Sequence, residues 1–186
     1  MRKKILIGGI ALMAMGSSLM AMGTAKAYGM VNGKTIVLSV EKTKIRNSGL
    51  KSGTIVSIGC EKDGQSALFG NGIISTTGVQ VSYGKMDYER GNDDVSYLRF
   101  ATYKQLGKNV TKLGNGNVNA YAGLKAQINL VDGLNNKGIG FGPYAGVKYQ
   151  AGRLGAGIHA GVAKDWFEGG KFYTETNFGG DISYSF

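Results

Sequence analysis

Apolar and polar residues alternate one by one through the second half of the chain. Over 118–130 the apolar set is Val118, Ala120, Ala122, Leu124, Ala126, Ile128 and Leu130. Between them lie Asn119, Tyr121, Gly123, Lys125, Gln127 and Asn129. The same period runs over 139–151, where Tyr144, Lys148 and Gln150 share the polar side, and over 154–166, where His159 and Asp165 share it. In the last segment Phe172, Phe178, Ile182, Tyr184 and Phe186 stand against Tyr173, Glu175, Asn177, Asp181, Ser183 and Ser185. A period of two over four consecutive segments predicts strands with one apolar and one polar face.

The connections predict how these strands pair. Residues 151–153 allow only a tight turn, 167–171 form a short Gly-bearing hairpin, and 132–138 a slightly longer loop. Sequence neighbours are therefore antiparallel neighbours. Upstream, 79–89 and 94–105 predict another hairpin around 90–94. Its second strand puts Leu98 and Phe100 on one face and Tyr97, Arg99 and Tyr103 on the other. The N-terminal third offers three candidates, 34–44, 54–61 and 66–74, and the sequence does not choose among them.

The first 27 residues have a different character. A basic head (Arg2, Lys3, Lys4) precedes an apolar stretch, and Ala25-Lys26-Ala27 closes it, the layout of a secretory signal peptide cleaved after Ala27. Cleavage would leave residues 28–186 as one domain. The leader takes four basic residues and no acids, lowering the net charge from +10 to +6. The remaining cations are scattered, with no run that fits nucleic acid. Cys60 is the only cysteine, so no internal disulfide forms, and it reads as a small apolar residue on a strand. No apolar run long enough for a spanning helix follows the leader. A membrane barrel is nonetheless compatible, because it spreads its apolar residues over alternate positions.

Alternation alone does not say whether the apolar face looks inward or outward. Aromatics near predicted strand ends favour outward: Phe141, Tyr149, Trp166 and Phe172 suit interfacial girdles, where amphipathic rings meet headgroups. The final residues, "FGGDISYSF", resemble the C-terminal signal of bacterial outer-membrane barrels, carried here by Phe178, Ile182, Tyr184 and Phe186. Size and layout are similar to the small OmpA/OmpX-type barrels. The resemblance implies an all-β, antiparallel up-and-down transmembrane barrel in the cell outer membrane. Its partners would be outer-membrane lipid and the barrel assembly machinery. Even strand numbers are the rule for such barrels, so eight strands are expected, with ten as the alternative. Pro143 falls inside a predicted strand, where a bulge near the rim would absorb it.

Chemistry is sparse. A lone histidine and a lone cysteine do not make a zinc site, and no cofactor motif occurs. The resemblance to lipid A deacylases among small barrels would need a serine two residues after the histidine, where Gly161 stands. His159 shares its face with Asp165 and is expected to point into the lumen, so no catalytic residue is assigned. The lumen is expected to carry a charge network of Arg99, Lys125, Lys148, His159, Asp165, Glu175 and Asp181, joined by Glu41. Unpaired buried charges are costly, so these groups should pair across strands or reach water. An eight-stranded interior is just wide enough for side chains to fill, which predicts a plugged lumen. The expected role is a monomeric, non-enzymatic barrel acting structurally or through a surface ligand at its loops. A small porin-like channel is the alternative; a lipid-modifying enzyme and a soluble exported ligand-binding barrel are more distant ones.

Overall fold

A computed structural model describes residues 34–46, 50, 52–65, 72–87, 94–131, 136–168 and 170–186. The leader and its cleavage site lie outside the described residues. Eight strands follow in order: β1 (Lys34–Arg46), β2 (Gly53–Gln65), β3 (Ile73–Asp87), β4 (Asp94–Leu113), β5 (Gly116–Val131), β6 (Asn136–Ala151), β7 (Leu154–Phe167) and β8 (Phe172–Ser185). Each pairs antiparallel with its sequence neighbours, and β8 pairs with β1 to close the barrel. The expectation of eight strands holds. Of the three N-terminal candidates, the first two are β1 and β2. The third contributes only its end, Ile73 and Ile74, to the start of β3, and 66–71 lie outside the described residues.

Closure fixes a stagger. Followed from Val40 through Val56 and Tyr83, the pairing register reaches Leu98 on β4. Followed the other way through Gly180, Ile158, Val147 and Ala120, it reaches Lys108 on the same strand. The two arrivals, 98 and 108, are ten residues apart. A stagger of that size tilts eight strands by about 40° to the barrel axis.

The apolar face points outward. Leu38 is 46% exposed, Val56 57%, Ile158 58% and Phe178 61%, while Glu41, Arg99, Asp165 and Glu175 are buried inside. This is the inverse of a soluble barrel, so an apolar interior of the exported ligand-binding kind is not what the chain builds. A continuous apolar exterior is matched by hydrocarbon and not by water. Cys60 is exposed on this outer wall.

Both chain ends leave the same rim, where Phe186 N–H donates to the Lys34 carbonyl at 3.0 Å. Two of the connections at that rim are two-residue turns, 114–115 and 152–153. Gly114 (φ 56°) and Gly152 (φ 58°) supply the left-handed backbone that such tight hairpins require. The opposite rim carries 47–52, 88–93, 132–135 and 168–171. The loop expected over 132–138 is shorter, because Asn136 already begins β6.

Pro143 departs from expectation. It lies in the middle of β6, outward-facing and exposed, with no bulge: the register with β7 is the same on both sides. The β6–β7 ladder instead skips Gly142 and Pro143, since proline has no N–H to donate. Gly142 makes the gap compact, because a Cβ there would run into the Val162 carbonyl. Among the described residues the strand pairings show one register shift, between Asn109 and Thr111 on β4.

Gly142→Ala is therefore expected to destabilise the barrel by about 3 kcal/mol, the upper range for forcing an extra carbon into packed backbone. Urea unfolding in detergent, followed by Trp166 fluorescence, would read this as a lowered midpoint. An unchanged midpoint would mean that β7 moves aside freely.

Candidate functional site: the barrel lumen

The lumen is filled in layers. At the rim opposite the chain termini, Ile45, Leu50, Ile55, Met86, Val95, Tyr97, Val131, Phe167 and Tyr173 form one buried apolar cluster. Leu50 comes from the β1–β2 connection, and Phe167 meets Tyr173 edge to face at 5.5 Å between ring centroids. These residues sit at inward-facing strand ends, continuing the phase of the polar face: Val95 and Tyr97 precede Arg99 by four and two positions.

Beneath this layer lies Arg99, fully buried. Its guanidinium donates to Glu175, to the Tyr97 hydroxyl at 2.8 Å and to Asn129 Oδ1 at 3.3 Å. A second carboxylate, Glu41, lies 3.6 Å from Arg99 Nη1. Glu175 also accepts from the Tyr97 hydroxyl at 2.8 Å and from Gln127 Nε2 at 3.3 Å. The planar five-donor group is suited to such a hub, since one cation can satisfy partners from several strands. The cation also lies 5.0 Å from the Tyr97 ring centroid.

Glu41 links this layer to the next. It lies 3.9 Å from Lys125 Nζ and 3.3 Å from His159 Nε2, and it accepts from Gln80 at 3.3 Å. His159 Nδ1 is 3.3 Å from Asp181, so the ring bridges two carboxylates across β1, β7 and β8. Lower still, Lys148 pairs with Glu61 at 3.2 Å and Tyr103 donates to Glu61 at 3.0 Å. Tyr144 donates to Gln105 at 2.7 Å. Glycines make room for the rings: a Cβ at Gly78 would strike Tyr103, and one at Gly146 would strike Tyr121. What remains is a cavity of about 50 Å³, bordered by Glu41, Glu61, Lys125, Lys148, His159 and Asp181. That is space for a few water molecules.

The seven charged residues expected in the lumen all point into it, but the network is uneven. Asp165 is fully buried and has no cation partner among the described residues; it accepts amide hydrogen bonds from Gln127 at 2.9 Å and Asn129 at 2.8 Å. The expectation of cross-strand ion pairs thus fails at Asp165, because Arg99 is already engaged by Glu175 and Glu41. Glu61, Gln127 and Asn129 are network members that the sequence reading did not assign. Their face was readable from alternation; their partners, on distant strands, were not.

The aromatics separate into two groups. Trp166 stands opposite Phe172 near one rim, edge to face at 6.1 Å. Tyr184 meets Phe186 near the other at 5.0 Å. Tyr149 is on that second rim, lying over Gly116, with its hydroxyl donating to the Leu113 carbonyl at 3.1 Å. Phe141 differs from expectation: it is five residues into β6, opposite Ala126, and so faces out from the body of the wall. Phe178, Ile182 and Tyr184 all face outward on β8, with Phe186 just beyond the strand.

Chemically the lumen is a set of mutually engaged charges. His159 faces inward between two acids, and a Cβ at Gly161 would meet Asn177 Oδ1 at 2.6 Å, so a side chain there would displace the Asn177 amide. Among the described residues no group of three or more His, Cys, Asp or Glu side chains is arranged to hold a metal.

Removing Arg99 would leave Glu175 without its cation, while Glu41 would keep Lys125 and His159. Arg99→Leu is expected to cost about 3–5 kcal/mol, the range for breaking a buried pair by deleting one partner. The double variant Arg99→Leu/Glu175→Leu should cost less than the sum of the single changes. A double-mutant cycle from urea titrations would measure the coupling; strict additivity would show that the two groups do not depend on each other.

No family model and no curated protein matches this sequence. Several solved structures resemble it. The outer membrane enzyme PagL has a TM-score of 0.55 at 12% identity, covering 82% of this chain and 99% of its own. Neisserial surface protein A (NspA) gives 0.48 at 14%, covering 83% and 97%. Ail, the attachment invasion locus protein of Yersinia pestis, gives 0.48 at 9%, covering 84% and 100%. At these identities the likeness to PagL speaks for architecture alone. Together with the inverted faces and the closed register, it makes this fold that of a small, eight-stranded outer-membrane barrel.

Proposed function

We propose that this protein is a monomeric, non-catalytic barrel of the bacterial outer membrane. It acts structurally or through a surface ligand at the rim opposite its chain termini. The observation that carries the reading is the conjunction of an apolar exterior with a lumen closed at one end by packed apolar side chains. A wall of that kind inserts into lipid. A lumen of that kind admits no solute path, because the Ile45–Phe167 cluster is apolar apart from two tyrosine hydroxyls, that of Tyr97 being held by Arg99 and Glu175, and cannot replace hydration water. Export by the 1–27 leader and insertion by the barrel assembly machinery, through the C-terminal aromatic signal, belong to the same reading.

A porin role is the weaker alternative, since charges near the cavity are engaged with one another. An enzymatic role has less support: the single histidine is held between Glu41 and Asp181, on the inner side of the wall from any lipid substrate.

The purified protein in planar bilayers is expected to give no discrete conductance steps. Steps altered by Lys148→Gln would replace this reading with a channel. Lipid extracts from cells with and without the protein are expected to show identical acylation, and a difference abolished by His159→Ala would make it an enzyme.

A further inference from the structure

The outer wall is not uniformly apolar. On β1 the outward positions run Ile36, Leu38, Val40 and then Lys42, Lys44, Arg46, with all three cations exposed. Across β8, Arg46 stands opposite Thr174 and Lys44 opposite Thr176. On the far side of β8, Lys164 is also opposite Thr174 and donates to its hydroxyl at 2.8 Å. Adjacent strands lie about 5 Å apart, so Arg46 and Lys164 flank one threonine across a width of about 10 Å, the dimension of a headgroup. No outward strand position on β7, β8 or β1 carries a carboxylate, and no described ion pair engages these four cations.

Directly below, the same wall turns apolar. Val40, Ile158, Val162 and Phe178 are its exposed side chains there, and an open groove of about 410 Å³ bordered by Leu38, Tyr149, Leu154 and Tyr184 follows at the rim of the chain termini. Cations and hydroxyls above a lipophilic wall match an amphiphile with an anionic head. Four cations with no counter-charge, set where the wall meets the headgroup level, would otherwise repel one another.

We propose that the β7–β8–β1 wall binds an anionic, phosphate-bearing acylated lipid, with Lys42, Lys44, Arg46 and Lys164 taking the headgroup and the apolar wall below them taking acyl chain. Thr174 and Thr176 supply hydroxyl donors between the cations. This rests on the membrane reading above. At the opposite rim Lys62 and Lys104 also flank a threonine, Thr77, but the β7–β8–β1 wall gathers four cations and two threonines, whereas Lys104 meets Leu124 on its other side and Lys108 lies between Ala120 and Ile73.

The test is native mass spectrometry of the full refolded barrel from detergent micelles titrated with phosphatidic acid or phosphatidylcholine. Phosphatidic acid is expected to be retained in preference. The variant Lys42→Gln/Lys44→Gln/Arg46→Gln/Lys164→Gln should weaken its retention by about tenfold or more, since each cation near a lipid surface contributes roughly 1 kcal/mol. Lys108→Gln/Lys112→Gln should change it by less than about threefold, as those lysines lie outside the site. Lys44→Gln/Arg46→Gln serves if the fourfold variant does not fold. No preference for phosphatidic acid, unchanged retention in the first variant, or equal loss in both would overturn the proposal. Heat-dependent gel mobility separates the two levels: a barrel that shows it but lacks the preference defeats this inference alone, whereas a chain without it defeats the membrane reading.

Discussion

The pairing of β8 with β1 is the interaction on which the rest of this molecule depends. A sheet of eight strands left open would present two rows of backbone N–H and C=O groups, and hydrocarbon offers them no partner. Closure satisfies both rows at once, from Thr35 opposite Ser185 to Arg46 opposite Thr174. It also creates the lumen chemistry. Glu41 on the first strand meets His159 and Arg99 only because the last strand, carrying Glu175 and Asp181, lies beside it.

The interior is a compromise between that closure and electrostatics. The outward face takes the apolar residues, so the polar ones are confined to a space too narrow for bulk water. Each buried charge then needs a partner fixed in place, which Arg99 provides for Glu175 and Glu41. Asp165 obtains amide donors instead. The apolar cluster above this network separates it from the opposite rim. Tilt and side-chain size together leave almost no free volume: rings of Tyr103 and Tyr121 occupy the space that Gly78 and Gly146 release.

The sequence was most legible where alternation was longest. The four C-terminal segments, the facing of Arg99 and His159, and the tight turn at 152–153 all follow from period two and glycine placement. Strand limits were less legible: β4 runs on to Leu113, well past the expected Gln105, because Lys108, Asn109 and Lys112 give no apolar signal there. The apolar cluster was hidden for a related reason. Ile45, Ile55 and Val131 have inward phase but apolar character, so periodicity classed them with neither face. Pro143 misled because a strand gap with unchanged register has no sequence signature beyond the neighbouring glycine. Partners across the barrel, such as Glu61 for Lys148, depend on the stagger, which only closure determines.

The register shift between Asn109 and Thr111 lies where β4 has run past the end of β3, whose last pairing is Ile73 with Lys108. Inside the closed wall, one extra residue would turn every later side chain of its strand to the wrong face, with lipid meeting charge and lumen meeting hydrocarbon. A closed ring has no edge at which such an error can be absorbed. Chain length is thus quantised within the wall and free beyond it, in the connections and in the projecting β4–β5 hairpin. In descent with insertion and deletion, that hairpin is one place where this barrel can gain or lose single residues and still close.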